Sequence, residues 1–141
     1  MKQREGWDGK TYYIPELADM VGKTFSSVKL NDDDTELLFE CDEGTFRFYH
    51  AQDCCEHVRV EDVIGDLQDL VGEPLLRAEE ESSDEAPERE DNPDNYWDEC
   101  HTWTFYKFAT RKGYVDVRWL GESNGYYSES VDFDFTPKQG N

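Results

Sequence analysis

The amino-acid sequence predicts an α+β fold: a mostly antiparallel sheet of two meanders with one main helix packed on a face. Three observations carry that expectation. Short β-branched and aromatic runs recur between polar, turn-forming separators. One apolar stripe at helical spacing interrupts them. An acidic tract at residues 79–99 divides the chain into two halves.

Taken in order, residues 15–21 suit a turn of helix. Residues 24–30, 35–41 and 45–50 are strands separated by the polar stretches 31–34 and 42–44, and they make the first meander. Residues 57–60 read as a fourth extended piece. Over about 61–72, Val63, Ile64, Leu67, Leu70 and Val71 share one helical stripe that ends at Gly72, the predicted main helix. Residues 75–78 lead as a strand into the tract 79–99. Its 11 carboxylates, single arginine and two prolines cannot bury apolar surface and predict a flexible loop. After it, residues 102–110, 114–120 and 126–135 are three long strands, the last two alternating apolar with polar positions, and form a second meander through the glycine-bearing links 111–113 and 121–125. A single domain over 1–141 is expected.

Against 14 Lys and Arg stand 34 Asp and Glu, a net charge of −20 at pH 7. Nucleic-acid affinity rests on cations that displace counterions, so direct nucleic-acid binding is not expected, nor adsorption to anionic membranes. The 8 Phe, 8 Tyr and 4 Trp argue for a folded core in spite of the charge. No apolar run reaches transmembrane length and the opening residues have no apolar stretch, which predicts a cytoplasmic protein. Cys41, Cys54, Cys55 and Cys100 include an adjacent pair and are expected as reduced thiols.

His50, Cys54, His57 and Cys100 are the one cluster of soft ligands. Neighbouring Cys54 and Cys55 would point to opposite sides of an extended segment, so neither zinc nor any other cofactor is expected. No nucleophile elbow and no phosphate-cradling glycine loop occurs, and the chain is expected to be no enzyme. Two non-catalytic sets remain. Asp53, Glu56, Glu61, Asp62, Asp66 and Asp69 lie along the turn and the predicted helix. Held as a fixed array they would imitate the charge of duplex DNA and face a basic surface; otherwise they are a solvated acidic face. Lys107, Arg118, Trp119, Ser123, Asn124, Tyr126 and Tyr127 combine stacking faces, donors and cations suited to a nucleotide-like ligand; the plain alternative is a surface hairpin with cross-strand tyrosines.

Two blocks, residues 48–80 with YHAQDCCE and EDVIGDLQDLVG and residues 102–133 with TFYKFAT and GESNGYYSE, resemble a small family of bacteriophage and bacterial genomes, the domain of unknown function 7448. The resemblance implies a phage setting and assigns no activity. With the charge it leads to a non-enzymatic inhibitor or interaction protein in the host cytoplasm, with a host nucleic-acid-binding or defence protein of basic surface as partner. The alternative is a sponge that sequesters a nucleotide-like immune signal at residues 118–129, with self-association into a homo-oligomer allowed.

Overall fold

The computed structural model describes residues 2–51, 56–83, 100–123 and 130–138. It is all-β. The strands are β1 (Lys2–Glu5), β2 (Thr11–Ile14), β3 (Ser27–Leu30), β4 (Leu37–Cys41), β5 (Gly44–Tyr49), β6 (His57–Ile64), β7 (Arg77–Ser83), β8 (Cys100–Thr110), β9 (Gly113–Ser123) and β10 (Asp132–Pro137). Two 3-10 turns, η1 (Leu17–Asp19) and η2 (Leu67–Leu70), are the helical elements among the described residues.

All pairing is antiparallel. One four-stranded sheet runs β10-β5-β4-β3 and a second runs β6-β9-β8-β7, while β1 and β2 form a separate hairpin. The sheets pack face to face because each strand alternates. In β5, Phe46 and Phe48 are buried between half-buried Thr45, Arg47 and Tyr49; in β9, Val115, Val117 and Trp119 are buried while Asp116 and Arg118 face the other way. Rings meet across the interior, Phe39 with Phe108 at 4.8 Å and Phe48 with Tyr106 at 4.7 Å between centroids. The edge strand β6 is tied to the opposite sheet's β3–β4 turn by the Val60 amide, which donates to the Asp34 carbonyl at 2.6 Å.

The first meander, β3-β4-β5, is present, and the turn expected at residues 15–21 is η1. Three expectations are corrected. The helix over 61–72 does not exist: its first four residues end β6, Gly65 turns at a φ of 108°, and the rest is one 3-10 turn followed by Gly72 at a φ of 85°. The fold is therefore not α+β. The second meander is only the β8–β9 hairpin, since β10 leaves that sheet and pairs with β5, setting Phe133 opposite Phe48 and Phe135 opposite Phe46. Residues 79–83 of the expected loop belong to β7, paired with β8; residues 84–99 lie outside the described residues. Among the described residues no helix is long and apolar enough to cross a membrane.

Candidate functional site

The outer face of the β6-β9-β8-β7 sheet holds the most site-like arrangement. The long strands β8 and β9, joined by the tight link at residues 111–112, carry two cross-strand rows onto that face. One row is Glu81, Phe105, Arg118 and Asp62; the next is Glu79, Lys107, Asp116 and Ile64. Glu81, Phe105, Lys107, Asp116 and Arg118 line an open hollow of about 260 Å³. The Arg118 guanidinium carbon is 5.9 Å from the Phe105 ring centroid, and the Lys107 ammonium is 3.4 Å from a Glu81 carboxylate oxygen. Trp103 lies along the same strand face, its ring parallel to Phe105 within 4° at 6.1 Å. One aromatic ring, two cations and two carboxylates thus line the hollow, a set that offers a planar group a stacking face beside the guanidinium and both donors and acceptors for its edge.

Lys107 and Arg118 are thus brought together as the sequence suggested. Trp119 is not: as the neighbour of Arg118 in a strand it points to the opposite face, fully buried in the core opposite Val60, with its indole N–H unpaired. Asn124, Tyr126 and Tyr127 lie outside the described residues, and Ser123 is placed only as the last residue of β9. Phe105, Asp116 and Glu81 are not among the residues that the sequence singled out. The alternation of Trp103, Phe105 and Lys107 in WTFYK was the legible signal for the first; Glu81 was hidden within a tract assigned to a loop.

The described members of the acidic set do not form one array. Asp53 lies outside the described residues. Glu56 is buried and bonded to His50. Glu61 and Asp62 sit at a bulge in edge strand β6, where Glu61 already pairs with Arg59 at 3.1 Å. Asp66 caps η2 by accepting from the Gln68 amide at 2.9 Å, and Asp69 lies within that turn. Without the helix, the five described carboxylates are not held on one face.

A second cluster closes one end of the core. His50 follows β5 and Glu56 precedes β6; the imidazole Nε2 is 3.0 Å from the Glu56 carboxylate and Nδ1 is 2.8 Å from the Ser130 carbonyl. Both side chains are buried, at 4% and 0% exposure. The Ala51 amide donates to Asp132 at 2.8 Å beside them. Burial pulls the His50 pKa down, but the bonds to Glu56 and Ser130 and the charges of Glu56 and Asp132 more than reverse this, so it stands above its ordinary 6.5. Of the residues weighed for zinc, His50 has both ring nitrogens engaged this way, exposed His57 lies on β6, and Cys54 is outside the described residues. Among the described residues no three His, Cys, Asp or Glu side chains converge on a metal position.

Fold and site together define an acidic, two-sheet β domain with a mixed-charge, aromatic-lined hollow on one outer face. The chain belongs to the family described as domain of unknown function DUF7448, whose model matches residues 18–133. No curated protein and no solved structure matches it.

Proposed function

We propose that this protein is a non-enzymatic binding protein that captures a small, planar, nucleotide-like ligand on the outer face of the β6-β9-β8-β7 sheet. The observation that carries the proposal is the placement of Lys107 and Arg118 together beside the Phe105 ring. In a chain of net charge −20, the lining of this hollow is itself neutral, two cations against two carboxylates, although Asp62 and Glu79 lie on the rows beside it. A base would stack on Phe105, the cations would meet its phosphate, and Glu81 and Asp116 would accept from exocyclic amines. In the phage setting that the motifs suggest, such capture would withdraw a nucleotide signal used in host defence. The other reading, an acidic surface that occupies a basic host protein in the cytoplasm, draws its support from net charge alone, because the carboxylates it needs are dispersed.

Calorimetric titration with a panel of mono-, cyclic and cyclic di-nucleotides tests the proposal. At least one should bind, and Phe105→Ala should weaken it about tenfold or more, since stacking one base is worth about 1–3 kcal/mol. Arg118→Glu should abolish binding in a protein that still folds. Failure of the whole panel to bind, or binding indifferent to both substitutions, would overturn it. A salt-sensitive pull-down of a basic host protein by the Phe105→Ala variant would instead favour the acidic-surface reading.

A further inference from the structure

The tip of the β1–β2 hairpin holds Trp7 wholly in water, at 101% exposure. The tip is nevertheless tightly built. Gly6 N–H donates to the Lys10 carbonyl at 2.8 Å and Gly9 N–H to the Gly6 carbonyl at 3.0 Å. Asp8 accepts from the Lys10 amide at 3.1 Å and from the Tyr12 hydroxyl at 2.7 Å. The Tyr12 ring lies so close to Gly6 that a Cβ there would collide with it, and the Arg4 guanidinium carbon lies 5.3 Å from the same ring. Tyr12 and Ile14 are exposed on one side of the hairpin; on the other, Tyr13 packs edge-on against Phe135 at 5.9 Å. Folding therefore spends hydrogen bonds on fixing a turn that buries nothing of its tryptophan, as a pre-organised anchor for another surface does.

Charge says which surface. Residues 1–14 hold three cations and two carboxylates, whereas the whole chain stands at −20, so this arm is a basic island on an acidic molecule, placed ahead of the family-matched residues. Elsewhere on the chain, Val21, Gly22, Lys23, Thr24, Cys41, Asp42 and Glu43 line a hollow of about 470 Å³, within the size range of small-molecule pockets. Val21 is an exposed apolar side chain at its rim, and Asp42 and Glu43 add carboxylates, one of them paired with Lys23 at 2.8 Å. An indole with a cation behind it and an open hollow with a carboxylate rim are complementary, and both belong to the same chain.

We propose that the hairpin is a self-association arm: Trp7 of one molecule docks in the hollow between residues 21–24 and 41–43 of a second copy, with Arg4 and Lys10 of the arm facing Asp42 and Glu43. Each contact joins two different patches, so two copies exchange arms about a two-fold axis, or more copies close a ring or run on as an open chain. It goes beyond the ligand-capture reading and stands without it.

Sedimentation velocity on the full chain tests the proposal with no ligand present, so its failure would leave the capture reading untouched. At physiological ionic strength, where exposed charges are screened beyond about 8 Å, the mutual repulsion of two acidic bodies is damped. The mass of the wild type should rise with concentration through the micromolar range. Trp7→Ala should raise the dissociation constant about thirtyfold, the loss typical of truncating a hot-spot tryptophan. Asp42→Lys, which leaves the arm intact, should weaken association as well, and Arg4→Glu combined with Asp42→Lys should recover part of what either loses alone. A monomeric mass at every concentration, or association unchanged in Trp7→Ala and Asp42→Lys, would overturn the arm.

Discussion

His50 sits with both ring nitrogens near oxygen atoms, and beside an ionised Glu56 that arrangement favours its charged form. A backbone carbonyl can only accept, and so can an ionised carboxylate, so the ring satisfies Ser130 and Glu56 together only as an imidazolium with two N–H groups. Removing one partner would strand the other charge in a nearly dry site, which costs about 3–5 kcal/mol. Glu56→Gln and His50→Ala should each lower the unfolding free energy by that order. The pH dependence has a definite sign: a histidine whose folded pKa stands above its ordinary 6.5 contributes its full stabilisation below pH 6.5 and loses it as the pH rises through the raised value. The stability advantage of the wild type over His50→Gln, measured by urea unfolding, should therefore shrink steadily above pH 6.5; an advantage that grows with pH would show that the ring is neutral in the fold. The sequence made both residues conspicuous, but for metal binding and for partner contact. The ring's full set of partners was not legible, because the second acceptor, the Ser130 carbonyl, comes from 80 residues away.

At the scale of the element, residues 57–72 show how a strand can carry a helical signature. Val58 and Val60 face the core two residues apart, but the bulge between Val60 and Asp62 shifts the register, so the next inward residue is Val63, three on. The steps of one, three, three and one from Val63 and Ile64 at the end of β6 to Leu67 and Leu70 in the 3-10 turn and on to Val71 then pass for a period of 3.6. The residue that decides against a helix is Gly65. At its φ of 108° a Cβ would stand 2.6 Å from the Tyr114 carbonyl oxygen of β9. Gly65→Ala should destabilise the fold by about 1–3 kcal/mol, read as a lower urea midpoint with an unchanged slope, because the alanine must hold a strained backbone and displace β9. If residues 61–72 were helical the same substitution would stabilise. The first meander was legible because its turns are short and local. The place of β10 was not: it is fixed by stacking Phe133 on Phe48, 4.4 Å apart and 12° from parallel, a contact made across 85 positions of chain.

For the molecule as a whole, the question is whether its negative charge is the binding agent or the background against which a site must work. Asp62 separates the two. It lies directly opposite Arg118 across the β6–β9 pair, exposed at the bulged edge of the sheet whose hollow Arg118 lines. If an acidic surface captures a basic partner, Asp62 is one of the attracting charges and Asp62→Lys should weaken binding. If Arg118 and Lys107 receive an anionic ligand, the same carboxylate competes for Arg118, and its reversal should strengthen ligand binding. Since exposed pairs are worth about 1 kcal/mol at most, the gain should be severalfold and should fade as salt is added. Titrating a nucleotide ligand and a basic host partner separately against the wild type and Asp62→Lys reads the sign directly. The fold should survive the change, because bulged edge strands tolerate and even favour lysine. A loss of nucleotide affinity on introducing this positive charge would be incompatible with capture at the hollow, whatever the ligand's base.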